Sequence, residues 1–262
     1  MKILIRGAGD LATGIAAELW ERGHQILMTD VAIPLTVRRE VAFSRAVYEE
    51  HAVVEGIEAV LADNFEEAET IMATRKIAVM VDEKAEVRKE YLPDVLVDGI
   101  MAKKNLGTRI SDAPLVIGIG PGFTAAGDCH FVIETQRGEH LGEVIREGSA
   151  IPNTGIPGNI GGDTVERLLK ASADGIMRPV ARIGDVVKKG QIVARCGDEP
   201  VYARLHGIVR GMLQEGVPVK KGLKIGDVDA RIEGKLCYTI SDKARKIGNG
   251  VAEAIDLVYK TK

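Results

Sequence analysis

The chain has 262 residues, of which 45% are hydrophobic and 28% charged, and its formal net charge is −3. This length can bury one large core or two cores of medium size. The acidic balance and the single Trp argue against a nucleic-acid partner, which needs a basic face or aromatic stacking platforms.

The first two-thirds of the chain alternate short apolar runs with segments of helical spacing. Predicted strands, bounded by Gly, Asp or Pro, cover Ile3–Arg6, Gln25–Thr29, Ile77–Val81, Val95–Val97 and Leu115–Ile119. Predicted helices cover Leu11–Glu21, Arg39–Glu50, Phe65–Ala73 and Lys84–Glu90. This alternation predicts a Rossmann-like, mostly parallel α/β sheet flanked by helices. The segments 120–127 and 152–162 are too rich in Gly and Pro for regular elements, which is typical of loops that carry function.

The last third contains an internal repeat. Gly175-Ile-x-Arg178 recurs 32 residues later as Gly207-Ile-x-Arg210, and the pattern that begins at Gly184 recurs at Gly216 with the same offset. The two copies predict a compact all-β unit with a pseudo-two-fold axis, which resembles the biotinyl/lipoyl carrier fold. The hairpin between the halves, 196–200, lacks the lysine that carrier domains modify, so we expect a structural or docking module.

The predicted organisation follows from these patterns. It comprises a Rossmann-like α/β domain over residues 1–174, a small barrel-sandwich module without an acceptor lysine over 175–232, and a C-terminal segment over 233–262 that packs on the body. Within the last segment, Lys243–Tyr259 is predicted to be helical.

A phosphate-binding turn is predicted at residues 7–12. Gly7, Gly9 and Ala12 match the G-x-G-x-x-A fingerprint between a strand and a helix, where Gly7 permits a tight turn, Gly9 admits a pyrophosphate and Ala12 allows close packing. Asp30 follows at the distance expected for a carboxylate that binds ribose hydroxyls. The alternative is a tight turn without a ligand.

Two charged residues bracket this turn. Arg6 is placed to clamp a phosphate, whereas Asp10 would repel one unless it binds a metal or turns outward. The ligand therefore need not be NAD.

Further ligand contacts are predicted after two of the strands. Lys103, Lys104 and Asn105 offer two positive charges and an amide to an anion, although a solvated basic turn is the alternative. Gly120 and Gly122 expose backbone donors in the next loop.

Cys129 and His130 are the candidate catalytic residues, because a neighbouring cation lowers the pKa of a thiol. Adjacent strand residues point to opposite faces, so a buried, inert Cys129 is an equal alternative. His130 with Asp128, Glu134 or His140 has no metal-binding spacing, and no metal site is predicted.

Cellular location follows from what the sequence lacks. It shows no signal-peptide layout and no run of about 18 apolar residues, which predicts no membrane span. Its three cysteines form no CxxC pair, which favours a reducing compartment, so we expect a cytoplasmic protein.

Several of these motifs together resemble one family. The segments 5–12 and 97–107, Gly120-Pro-Gly-Phe-Thr124, Asp128-Cys-His130 and Ile133-Glu-Thr135 are similar to the accessory proteins of the selenium-dependent molybdenum hydroxylase system. The resemblance covers essentially the whole chain. It implies a helper in maturing or inserting a modified molybdenum cofactor, with a molybdenum hydroxylase or its cofactor-assembly proteins as partners.

Molybdopterin cofactors carry a phosphate, so the resemblance and the turn together imply a molybdopterin-type or other nucleotide-like ligand. Cys129 then becomes a candidate for passing sulfur or selenium to the metal centre. Two other functions stay open: an NAD(P)-dependent oxidoreductase, supported by the turn and Asp30, and a non-enzymatic docking scaffold. A homo-oligomer is compatible with the sequence.

Overall fold

Hydrophobic strands in the first half of the chain form the central sheet of a mixed α/β fold. The computed structural model describes residues 1–153 and 166–260. The strands of this sheet are β1 (Lys2–Arg6), β2 (Gln25–Asp30), β3 (His51–Val54), β4 (Ile57–Ala62), β5 (Ile77–Val81), β6 (Val95–Asp98), β7 (Leu115–Ile119), β8 (Phe131–Ile133) and β9 (Val144–Ile145). The helices are α1 (Asp10–Glu21), α2 (Ala46–Glu49), α3 (Phe65–Ala73), α4 (Arg88–Tyr91), α5 (Lys235–Tyr238) and α6 (Asp242–Tyr259).

The order of the strands is β3-β4-β5-β2-β1-β6-β7-β8-β9. From β4 to β8 all neighbours pair in parallel, and only the edge strands β3 and β9 are antiparallel. The chain first extends the sheet on one side of β1, through β2, β4 and β5, and then crosses to β6 on the other side. The strand order therefore reverses between β1 and β6, although these two strands are parallel. In such sheets ligands bind at this point, at the carboxyl ends of the strands.

Two predicted helices are wrong, while the predicted strands and the other helices agree with the structure to within a residue or two. Over Arg39–Glu50 the chain forms two 3-10 turns and the short helix α2, and the residue after this helix, Glu50, has a φ of 62°. Over Lys84–Glu90 the left-handed residue Ala85 (φ 51°) interrupts the pattern, and α4 begins only at Arg88. The apolar spacing in both segments reflects burial of turns rather than continuous helix.

Side chains on the two faces of the sheet pack against different helices. On one face, Leu4 and Leu96 belong to a buried cluster with Met72 of α3 and Tyr91 of α4. On the other face, α1 packs against α6, and a Cβ atom at Gly14 would lie only 2.5 Å from the Cβ of Ala244. The C-terminal helix is thus confirmed, and it packs against the helix that follows the glycine turn.

A separate set of strands forms two antiparallel four-stranded sheets. Their strands are β10 (Leu168–Lys170), β11 (Gly175–Pro179), β12 (Val186–Val187), β13 (Ile192–Cys196), β14 (Glu199–Tyr202), β15 (Gly207–Met212), β16 (Pro218–Val219) and β17 (Lys224–Asp229). The orders are β10-β17-β15-β12 and β14-β13-β11-β16. Strand pairing closes neither sheet into a barrel within the described residues.

The internal repeat is visible in how these strands pair. Gly175 pairs with Val219, and the positions 32 residues away in each copy, Gly207 and Val187, pair in the same way. Gly184 N–H donates to the Val209 carbonyl, while the repeat equivalent of Gly184 donates to Met177 at the same 32-residue offset. Each copy therefore lends a strand to the sheet of the other, which is the two-fold arrangement that the repeat predicts.

The chain divides into two compact units. Among the described residues, the first comprises 1–34, 42–153 and 240–260, and the second comprises 35–41 and 166–239. The domain boundaries predicted from the sequence, after residues 174 and 232, differ from this division and remain predictions. Most of the predicted loop 152–162 lies outside the described residues. No helix in the described part of the chain is both long enough and apolar enough to cross a membrane.

Candidate functional site

The carboxyl ends of β1 and β6 lie side by side at the point where the strand order reverses. Arg6 and Asp98, the last residues of these strands, are in register, and Gly99 N–H donates to the Arg6 carbonyl at 2.8 Å. The segment 7–12 leaves this edge towards α1, and the segment 99–105 leaves it beside β7. The structure thus brings the predicted turn next to the predicted basic segment.

The turn needs its first glycine. Gly7 has a φ of +95°, and a Cβ atom there would lie 3.1 Å from Ile100 N. Gly9 is the N-cap of α1 and provides no side-chain cap, and its extended backbone (φ −70°) leaves the helix end to other oxygen acceptors. Ala12 lies against Gly99, where any Cβ would come within 3.3 Å of its methyl group. The three small residues therefore occupy the positions that the fingerprint requires.

Asp30 lies directly against the turn. Its Oδ2 accepts from Ala8 N–H and its Oδ1 from Val31 N–H, both at 2.8 Å. Burial raises the pKa of this carboxyl above its usual value, against the opposing effect of the two backbone donors. The turn therefore already binds one carboxylate oxygen through its backbone, and the sequence spacing placed this residue correctly.

Arg6 does not extend towards the turn. The residue is 5% exposed, and Nε, Nη1 and Nη2 make five hydrogen bonds. The acceptors are the Asp98 carboxylate, the Thr108 hydroxyl, the Leu106 carbonyl and, twice, the Glu83 carbonyl. A guanidinium has five N–H donors, so none is left for a phosphate. The interpretation of Arg6 as a direct clamp is corrected: it ties two loops to the end of β1.

A lysine from α6 supplies a positive charge near the turn. Lys243 precedes Ala244, the residue that packs on Gly14 of α1, and its charge interacts with Asp10 and Glu134. Burial, followed by the neighbouring Arg137, lowers the pKa of this amine. Sequence reasoning missed Lys243, because it lies more than 200 residues from the turn and only helix packing brings it there.

The loops after β6 and β7 are built against each other. Gly122 has a φ of +113°, and a Cβ atom there would lie 2.5 Å from Lys104 N, so only glycine fits. Lys103 and Lys104 are exposed. Asn105 instead bonds within its own loop, because its Oδ1 accepts from Gly107 and Thr108 and its Nδ2 donates to the Thr108 carbonyl. Asn105 therefore shapes the loop that carries the two lysines.

Gly120 and a buried carboxylate organise the next part of this edge. Gly120 has a φ of +75° and packs on Thr135, whose hydroxyl would lie 2.6 Å from an added Cβ. Glu134 is 2% exposed and accepts hydrogen bonds from the backbone of Thr135, Gln136 and Ile151. No sequence pattern predicts this role, since a glutamate at the end of a strand is usually solvated.

Cys129 and His130 do not form a catalytic pair. Burial raises the pKa of the Cys129 thiol to about 11, so it is protonated at neutral pH. His130 Nδ1 accepts from Val116 N–H at 3.0 Å and so holds the neighbouring strand. These observations favour the alternative of a small buried hydrophobe at position 129.

The side chains considered as metal ligands have other partners. His140 pairs with Glu143 at 2.6 Å, and Glu134 binds backbone amides. Across residues 1–153 and 166–260, no group of three or more His, Cys, Asp or Glu side chains is arranged to hold a metal ion.

Comparison with known proteins gives one close sequence relative. The chain is 47% identical over 253 residues to the uncharacterized protein YqeB of Escherichia coli (strain K12), which covers 97% of this chain and 47% of that protein. The chain thus spans about half the length of this curated relative. No protein-family model matches.

Similarity to solved structures is weak. The product-bound ectoine utilization protein EutE (DoeB) from Ruegeria pomeroyi is 20% identical over 32% of this chain and 27% of that chain, with a TM-score of 0.23. A succinylglutamate desuccinylase/aspartoacylase from Rhodobacter sphaeroides is 14% identical over 86% of each chain, with a TM-score of 0.24. Values this low carry no argument about the fold or the activity of this chain.

Proposed function

We propose that this chain is an accessory protein for the maturation of selenium-dependent molybdenum hydroxylases, and that it binds a molybdopterin-type or other nucleotide-like ligand. The phosphate end of the ligand binds at the turn formed by residues 7–12. The observation that carries this proposal is the position of the turn at the point where the strand order reverses. The N–H groups of Gly7 and Ala8 are bonded to Thr29 and Asp30, so the N-terminus of α1, which follows Gly9, supplies the donors for an anion.

The residues around the turn fit a phosphate-bearing ligand. Gly9 provides no side-chain cap to α1, and the charge of Lys243 interacts with Asp10, the first residue of that helix. Lys103 and Lys104 are exposed on the adjoining loop and offer charge to the rest of the ligand. Asp30, at the end of β2, has two oxygens that already accept backbone hydrogen bonds and still carry lone pairs for ribose hydroxyls. A molybdopterin-type cofactor would bring the metal chemistry, while these residues would bind and orient it.

The choice of a maturation role rests on the sequence resemblance. The motifs that carry it are the same ones that meet at this edge of the sheet, namely the segments 5–12, 97–107, 120–124 and 133–135. Cys129 is then a residue that would have to become exposed before it transferred sulfur or selenium, because its thiol is buried and protonated in this conformation.

An NAD(P)-dependent oxidoreductase is the second candidate. Asp30 favours it, since a carboxylate at the end of the second strand binds the ribose of NAD in doubly wound folds. The β5-β2-β1-β6-β7-β8 part of the sheet has the strand order of such Rossmann-like folds.

A docking role is proposed for the second unit. Its two-fold related sheets would form a barrel-sandwich of the carrier type, and the β13–β14 hairpin turns at Gly197 and Asp198, where no lysine is present. Such a module would present a rigid surface to the hydroxylase rather than a prosthetic group.

Thermal titration separates the two ligand classes. CTP, isolated molybdopterin, NAD(H) and NADP(H) are added in turn, because a ligand that binds only the folded state raises the midpoint of unfolding. We expect a shift with the molybdopterin or CTP that is lost in Gly9→Val, whose extended backbone accepts a side chain, and retained in Lys246→Gln on α6. A shift with nicotinamide nucleotides alone would instead establish the second candidate.

Maturation itself is tested by coexpression. A selenium-dependent molybdenum hydroxylase is produced with the wild-type chain, with Gly9→Val or without either, and its metal, selenium and activity are measured. Equal loading in all three would contradict the proposed role.

A further inference from the structure

A cavity of about 370 Å³ lies at the same edge of the sheet, on the face opposite the glycine turn. Leu4, Arg6 and Leu96 mark that face, because alternate residues of a strand point the same way and Leu4 and Leu96 pack with α3 and α4. No residue of α1 or α6 belongs to that buried cluster. The cavity is therefore distinct from the site on the α1 side, and it has no part in the function proposed for that site.

The lining of the cavity is positively charged. It contains four cationic side chains, Arg6, Lys84, Arg88 and Arg109, and two carboxylates, Glu86 and Asp112, which gives a formal charge of +2. The charge is +1 when Asp98, the buried ion-pair partner of Arg6, is counted with them. Lys84 and Arg109 are exposed at its rim. The chain as a whole has a formal charge of −3, so this local excess of positive charge is a property of the cavity rather than of the composition.

Arg6 builds the cavity rather than filling it. By donating to the Glu83 and Leu106 carbonyls, it fixes the two loops that carry Lys84 and Arg109. Its partner Asp98 also accepts from the Thr108 hydroxyl at 2.6 Å, which anchors the second loop again. The rim cations therefore project from backbone that a buried network holds in place, and this preorganisation reduces the entropy lost on binding.

Arg88 contributes a further donor from the start of α4. Its Nε donates to Asp112, and its Nη1 donates to the carbonyls of Lys84 and Ala85 and to Glu86. These contacts do not involve Nη2. The apolar part of the lining, Leu96 and Leu106, lies beside these charges and suits an uncharged organic group.

We propose that this cavity binds a small phosphate monoester, with the phosphate between Lys84, Arg88 and Arg109 and the organic part against Leu96 and Leu106. A phosphate monoester carries nearly two negative charges at neutral pH, and the net positive charge of the lining attracts it. The volume is at the lower end of the range for small-molecule sites, which favours a ligand of sugar-phosphate size. This proposal does not rest on the proposed maturation role.

Calorimetric titration at constant ionic strength tests it, with ribose 5-phosphate as the probe, ribose as the uncharged control and inorganic phosphate as the control without an organic group. We expect ribose 5-phosphate to bind and ribose not to bind. The double variant Lys84→Gln/Arg109→Gln should weaken binding at least tenfold, while Lys246→Gln, an exposed lysine outside the lining, should leave it unchanged.

Three results would overturn the proposal. They are no binding of ribose 5-phosphate to the wild type, equal affinity in the double variant, and equal affinity for inorganic phosphate. Gly9→Val should bind ribose 5-phosphate like the wild type, so failure at the glycine turn and failure at this cavity are distinguishable. The two rim substitutions lie on exposed side chains, and an unchanged unfolding midpoint would verify that both variants are folded.

Discussion

The contact between Gly14 and Ala244 yields the sharpest test of how α6 supports the glycine turn. Replacing Gly14 with alanine gains about 1 kcal/mol of helix propensity, because glycine is the poorer helix former. The new Cβ would lie 2.5 Å from the Ala244 Cβ and 2.9 Å from its carbonyl carbon. Neither alanine has a rotamer that relieves this overlap, so the helices must move apart, which typically costs about 1–3 kcal/mol. A Cβ–Cβ distance of 2.5 Å is a severe overlap, so we expect a cost in the upper part of this range, about 2–3 kcal/mol. After the propensity gain of about 1 kcal/mol is subtracted, Gly14→Ala should lower the free energy of unfolding by about 1–2 kcal/mol.

The reverse swap separates packing from propensity. In Gly14→Ala/Ala244→Gly the methyl group moves from one helix to the other, so the propensity terms cancel. The 2.5 Å overlap between the two Cβ atoms is removed, and the contact with the backbone carbonyl carbon at 2.9 Å remains. Urea denaturation of the wild type, both single variants and the double variant gives the coupling free energy, which we expect to favour the double variant by at least about 1 kcal/mol. Lys246→Ala, on the exposed face of α6, should change stability by less than about 0.5 kcal/mol. A Gly14→Ala variant as stable as the wild type would refute the reasoning.

Three further predictions follow from buried groups. Because burial raises the pKa of Cys129 to about 11, iodoacetamide should label it far more slowly in native protein than in urea at pH 8, and equal rates by mass spectrometry would contradict the assignment. Burial lowers the pKa of Lys243, so the folded state loses this proton before the unfolded state does. The free energy of unfolding therefore rises with pH between the folded and the ordinary pKa of this lysine. Lys243→Met should remove this rise when the free energy of unfolding is measured by denaturation at several pH values, and an unchanged pH dependence would contradict the prediction. Burial alone would raise the pKa of Asp229, but the bond to Arg231 holds this pKa below its usual value. The contribution of the pair to stability is therefore present above about pH 4 and is lost as the pH falls through the pKa of the folded state. Asp229→Asn should flatten this part of the acid unfolding profile, and an unaltered profile would show that the pair does not contribute to it.

Local patterns predicted the parts of the fold that depend on neighbouring residues. The strands β5 and β7 and the helix α3 begin and end at the predicted residues, because each combines an apolar run with clear flanking turn residues. The repeat also predicted a two-fold relation that strand pairing reproduces. Both kinds of signal are written in short stretches of sequence.

The missed features all depend on contacts between distant segments. Arg6 was expected to face a ligand, but its five donors are used by residues 77 to 102 positions away. Lys243 approaches the turn only because Gly14 lets α6 come close to α1. Glu134 is buried because three backbone amides satisfy it. No periodicity or motif encodes such partners. The sequence therefore predicts which edge of the sheet carries the candidate site, but not which contacts each side chain makes there.

The hydrogen bonds of Arg6 determine what this edge of the sheet can do. Had the guanidinium faced the turn, the end of β1 would serve a single ligand on the α1 side. Since its donors instead hold the loops at Glu83 and Leu106, Arg6 supports the wall of the proposed cavity site and leaves the proposed phosphate site to the turn. Asp98 lies between them, with one oxygen on Ile100 N–H beside the turn and the other on Thr108 beside the cavity. A ligand that shifts the Ile100 backbone would therefore act on the cavity wall through a single carboxylate, and a ligand in the cavity would act on the turn by the same contact. Binding of ribose 5-phosphate and of the nucleotide-like ligand should consequently be coupled in the wild type and independent in Asp98→Asn, and equal coupling in both proteins would show that the carboxylate does not link the sites.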